Sequence, residues 1–93
     1  MYTYSPNGVC SQKITFDILD DKVVKVNFVG GCDGNLKGLS NLIEGMNIDD
    51  AIKRLHGITC GSKNTSCPDQ LSKALQEAKI RKVSNKYFLK IIK

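Results

Sequence analysis

The chain has 93 residues, 41% of them hydrophobic and 25% charged, with a formal net charge of +5. This is the length of one domain, too short for a barrel enzyme of about 250 residues, and the composition is that of a folded globule rather than a disordered chain. No apolar run approaches the ~18 residues that cross a bilayer, and the start lacks the basic flank and apolar stretch of a secretory signal, so a cytoplasmic protein with no membrane partner is expected.

Residues 1–4 offer a possible edge strand. Residues 13–19 and 23–29 alternate apolar and polar side chains, with Ile14, Phe16 and Ile18 in the first run and Val24, Val26 and Phe28 in the second. With Asp20-Asp21-Lys22 as a short turn they form a β-hairpin. Pairing 14 with 28, 16 with 26 and 18 with 24 keeps all the apolar side chains on one face.

Three helices follow. Leu36, Leu39, Leu42 and Ile43 keep a helical period that Gly45 ends. Asn47 then caps a second helix with Asp49 and Asp50 in its first turn, the stripe Ile48, Ala51, Ile52 and Leu55, and Gly57 at its end. Residues 60–65 read as a loop. The third helix starts near Ser66 or Cys67, with Pro68 and Asp69 suited to its first turn and Leu71, Ala74, Leu75 and Ala78 on its buried face. Residues 83–93 read as a helix extension or a late strand. Strands first and helices after predict an α+β fold, a two- to three-stranded antiparallel sheet covered on one face by about three helices.

The charge is uneven. Lys79, Arg81, Lys82, Lys86, Lys90 and Lys93 leave the end of the chain basic, while residues 1–78 carry eight basic and nine acidic groups. The expected organisation is a domain over 1–82 and a basic tail over 83–93. Such a tail can attract nucleic acid or an acidic partner. Only Tyr87 and Phe88 offer stacking there, so a solvated end is the plainer reading.

The cysteines, at 10, 32, 60 and 67, carry the chemistry. Extending the hairpin register outward pairs position 10 with position 32 and brings both to the open end of the hairpin. Gly30 and Gly31 permit a bulge there. Cys67 opens the third helix, where free N–H groups and the helix dipole favour a thiolate. Cys60 precedes it by a loop able to fold back. Three fates stay open: a metal site of Cys10, Cys32, Cys60 and Cys67, a dithiol/disulfide pair, or inert buried thiols. His56 could replace one sulfur or simply end the second helix. Asp33 could ligate or cap the first. No P-loop, dinucleotide fingerprint or nucleophile motif is present, so no catalytic residue is assigned.

Thr65-Ser66-Cys67-Pro68-Asp69, followed by Gln70-Leu71, resembles the name-giving signature of the TSCPD domain family. The run 28–36, Glu44-Gly45-Met46, the run 57–61 and Gly8-Val9-Cys10 resemble it too, so the likeness covers roughly residues 1–80. The chain looks like the small stand-alone form of a domain that longer relatives carry at the C-terminus of adenosylcobalamin-dependent (class II) ribonucleotide reductases. The resemblance implies a link to deoxyribonucleotide and DNA-precursor synthesis. The implied partner is a ribonucleotide reductase or another nucleotide-metabolism protein. Catalysis is not implied, because the reductase barrel, radical-bearing cysteine and cobalamin site have no counterpart here.

The order of elements is also similar to the NifU/IscU-like (U-type) iron–sulfur scaffolds. Those place cysteines where Cys10, Gly31-Cys32 and Cys67 stand. Gln12 and Ser66 depart from that pattern and Cys60 is extra, and a fourth thiolate favours a closed, retained metal. A zinc-binding accessory module is therefore the leading expectation. The alternatives are an iron–sulfur cluster scaffold or carrier, and a thiol redox partner using Cys60 with Cys67 or Cys10 with Cys32.

Overall fold

The computed structural model describes the backbone of residues 1–9, 11–31 and 33–92, and side chains as far as Ile80. In chain order the elements are β1 (Tyr2–Tyr4), β2 (Ser11–Leu19), β3 (Lys22–Gly30), α1 (Asp33–Ile43), α2 (Ile48–Leu55) and α3 (Cys67–Ile92). The strands form one antiparallel sheet in the order β1-β2-β3. The fold is α+β, and residues 1–4 do supply the third strand. The backbone of α3 continues to Ile92, which decides for helix over strand as far as that residue.

The hairpin departs from a constant register. Ile14 pairs with Phe28 as expected, but Ile18 pairs with Val23 and Leu19 with Lys22, so the loop holds two residues rather than three. Asp20 (φ 52°) and Asp21 (φ 62°) are both left-handed, the geometry of a type I′ turn, whose twist matches that of the strands it joins. The tight turn puts the near end of the hairpin one residue out of step with the far end. A bulge at Lys25 (φ 56°) absorbs the difference, and its N–H finds the Glu44 Oε1 at 2.8 Å. The inward residues of β3 are therefore Val23, Val26 and Phe28, not Val24. A second shift, between Ser11 and Lys13, sets Ser11 opposite Gly30 and leaves Ser11 buried at 3% exposure.

The link between α1 and α2 seals the free edge of β3 beside the turn. Gly45 N–H donates to Val23 O at 2.7 Å, Val23 N–H to Met46 O at 2.8 Å and Ile48 N–H to Asp21 O at 2.9 Å. Two turns are thus fastened to each other, and that stretch of edge offers no unpaired strand. Asn47 caps α2, its Oδ1 accepting from the Asp49 and Asp50 N–H groups.

One core joins the layers. Ile14, Phe16 and Val23 of the sheet meet Ile43, Ile48, Ala51, Leu55, Leu71, Ala74, Leu75 and Ala78 of the helices. Each large side chain so buried contributes about 1.5–3 kcal/mol relative to exposure. Leu42 departs from the expected stripe and is 78% exposed. It stands six residues after Leu36, well off the line that joins Leu36 to Ile43 at 3.6 residues per turn.

Candidate functional site

The signature residues at the start of α3 are mostly fasteners. Ser66 precedes the helix and caps it: its Oγ accepts from Asp69 N–H at 3.2 Å and donates to Ile58 O at 2.6 Å. Pro68 brings no N–H and suits the first turn. Asp69 is buried, and its carboxylate accepts from Gly57 N–H at 2.8 Å and Thr65 Oγ1 at 2.6 Å. Lys73 Nζ lies 3.7 Å and His56 Nδ1 3.9 Å from the same carboxylate. The Thr65 hydroxyl and then the Gly57 amide hold the Asp69 carboxyl below the usual carboxylate range; burial opposes them, and the Lys73 and His56 charges add to the lowering.

Gln70 fastens the N-terminal segment to the same helix start. Its Nε2 donates to Thr65 Oγ1 at 2.9 Å, and its Oε1 accepts from Asn7 N–H at 3.1 Å and Tyr4 Oη at 3.5 Å. Burial, then the charges of Glu77 and Asp69, push the Tyr4 phenol up, so it remains a donor. Thr65, Ser66, Asp69 and Gln70 therefore clamp the 57–66 loop and the approach to β2 onto one point. The residue they hold in place is Cys67.

Near Cys67, the Asp69 N–H goes to Ser66 Oγ and the Gln70 N–H to Ser66 O at 2.8 Å, rather than to the sulfur. What meets the Cys67 Sγ is the hydroxyl of Ser11, at 3.2 Å. Ser11 lies beside Gly31, whose position is equally tight. A Cβ on Gly31 would fall 2.8 Å from Leu36 Cδ1 and 3.3 Å from Ser11 N, at φ +81°. Gly31→Ala is therefore expected to destabilise the fold by about 2 kcal/mol or more, measured by urea unfolding. A change within error would show that β2 and the β3–α1 turn separate easily.

Cys60 is exposed, with its N–H on Thr65 O at 3.2 Å, so the loop does fold back toward the helix start. Cys60 and Cys67 are free thiols, not joined to each other. Cys10 and Cys32 lie outside the described residues, and so does the expected 10–32 pairing. Among the described residues no group of three or more Cys, His, Asp and Glu is placed to hold a metal ion. His56 is exposed at the end of α2 and its polar neighbour is the Asp69 carboxylate. Asp33 stands in the first turn of α1, with its carboxylate 3.1 Å from Lys37 Nζ. Among the described residues no helix is long and apolar enough to cross a membrane.

Ser11 was not singled out by the pattern of the sequence. Strand alternation counted back from Ile14 puts position 11 on the outer face, and only the register shift brings it inward. No local signal marks it.

A three-stranded sheet, three helices and a thiol clamped at the start of the last helix define a small cysteine-bearing α+β module. The family model of the TSCPD domain matches residues 2–79, and the chain belongs to that family. No curated protein and no solved structure matches it.

Proposed function

We propose that the protein is a small metal-binding accessory module in which Cys10, Cys32, Cys60 and Cys67 hold zinc. It is related to the C-terminal domain of class II ribonucleotide reductases and serves deoxyribonucleotide synthesis beside such an enzyme, without catalysis of its own. One observation carries the metal. Ser11, bonded in the chain to Cys10, places its hydroxyl 3.2 Å from Cys67 Sγ, and Gly31, bonded to Cys32, packs against the Ser11 backbone. The chain neighbours of two cysteines thus converge near a third, Cys67, and the Cys60 backbone is tied to Thr65, two residues before Cys67.

The donor set suits the ion. Thiolates are soft ligands, and four of them make a closed tetrahedral site whose zinc is structural. Bound zinc would cross-link the hairpin's open end, the 60–65 loop and the start of α3. The link to nucleotide reduction is supported by the family. Elemental analysis of protein purified anaerobically without added metal tests the reading, with about one zinc per chain expected. Absence of any metal would overturn it. Iron with acid-labile sulfide would replace zinc by an iron–sulfur cluster.

A further inference from the structure

Cys67 has a hydroxyl neighbour whose chemistry the metal reading does not use. The Ser11 Oγ stands 3.2 Å from Cys67 Sγ, and Ser11 is 3% exposed, so water does not compete for the contact. With a neutral thiol, either atom can donate. A metal-bound thiolate has no proton, so the hydroxyl becomes the donor. The amides that usually serve a sulfur at a helix start are engaged elsewhere: the Asp69 N–H on Ser66 Oγ, the Gln70 N–H on Ser66 O, and Pro68 has none. The backbone that carries the hydroxyl is closely packed, because Gly31 lies against it with no room for a Cβ.

We propose that Ser11 is the positioning residue of the metal centre, donating a hydrogen bond from its hydroxyl to the Cys67 thiolate and thereby lowering that sulfur's electron donation and its reactivity. This rests on the metal reading above. The bond moves charge density from the metal–sulfur bond toward the O–H group, as partners outside the ligand set do at metal sites. A sulfur so held is a poorer nucleophile, and the ion is retained rather than surrendered to an electrophile or a competing thiol.

The test uses the full chain loaded with Co²⁺, whose sulfur-to-metal absorption reports thiolate donation. Ser11→Ala is expected to move that band to lower energy at unchanged cobalt stoichiometry. It should also raise the rate of alkylation at Cys67, read by peptide mass mapping, on the order of tenfold, the worth of a hydrogen bond to a charged atom. Ser11→Thr should restore both values. If Ser11→Ala does not fold, Ser11→Thr against Ser11→Val repeats the comparison on side chains of one shape. Cobalt bound by the wild type with band and alkylation rate unmoved in the hydroxyl-free variants overturns this proposal alone. No cobalt bound by the wild type overturns it together with the metal reading.

Discussion

Asp69→Ala is expected to lower the free energy of unfolding by about 3 kcal/mol. The carboxylate accepts from two donors near opposite ends of one loop, Gly57 N–H and Thr65 Oγ1, and it is buried. Removing it leaves both donors without an acceptor and releases the 57–66 loop from α3. Asp69→Asn keeps the shape and one acceptor, and about half the loss is expected. The two variants also separate by pH. The folded-state pKa of Asp69 lies below its unfolded value, so its stabilising contribution is complete above the ordinary carboxylate pKa. The contribution disappears as pH falls from there through the depressed value. Wild type should therefore lose stability on acidification more steeply than Asp69→Asn. Urea unfolding from neutral pH down into the acid range measures it. Parallel curves would mean that the carboxylate gains nothing from its donors.

If the proposed zinc site is right, removal of the metal is expected to have an effect of similar or greater size. A metal that binds the folded but not the unfolded chain stabilises by about 4 kcal/mol when free metal exceeds Kd a thousandfold. The domain has its own hydrophobic core, so the apo form should remain folded with a lower thermal midpoint rather than unfold outright. A chelator titration followed by differential scanning calorimetry measures the drop, and added zinc should restore the midpoint. Cys67→Ser should lose the metal and lie near the apo midpoint with or without zinc. A midpoint indifferent to the chelator in metal-loaded wild type would separate metal binding from folding.

The clamp explains why the family signature has its shape. Thr65, Ser66 and Asp69 bond loop and helix to each other, Pro68 starts the helix, and Cys67 alone points its chemistry outward from that network to Ser11. The signature is thus a rigid mount for one sulfur.

Much of this architecture follows from local rules that a linear chain already carries. Alternation in residues 13–19 and 23–29 makes strands. The Asn47 cap and Gly45 bound helices because capping needs only neighbours in the chain. The buried stripe Leu71, Ala74, Leu75 and Ala78 is where a period of 3.6 puts it. The register was legible at Ile14 and Phe28 but not near the turn. Two adjacent aspartates can take a three-residue loop or a type I′ turn, and the choice depends on the α1–α2 link that fastens Asp21 and Val23 from outside the hairpin. That choice forced the bulge at Lys25 and exchanged Val24 for Val23 in the core. The meeting of Ser11 with Cys67 is also a product of tertiary structure, because the residues are 56 positions apart and the contact exists only after β2 shifts register against β3. Periodicity reports which face a residue prefers, whereas the partner it meets across the core is decided by packing and by the bonds of segments distant along the chain.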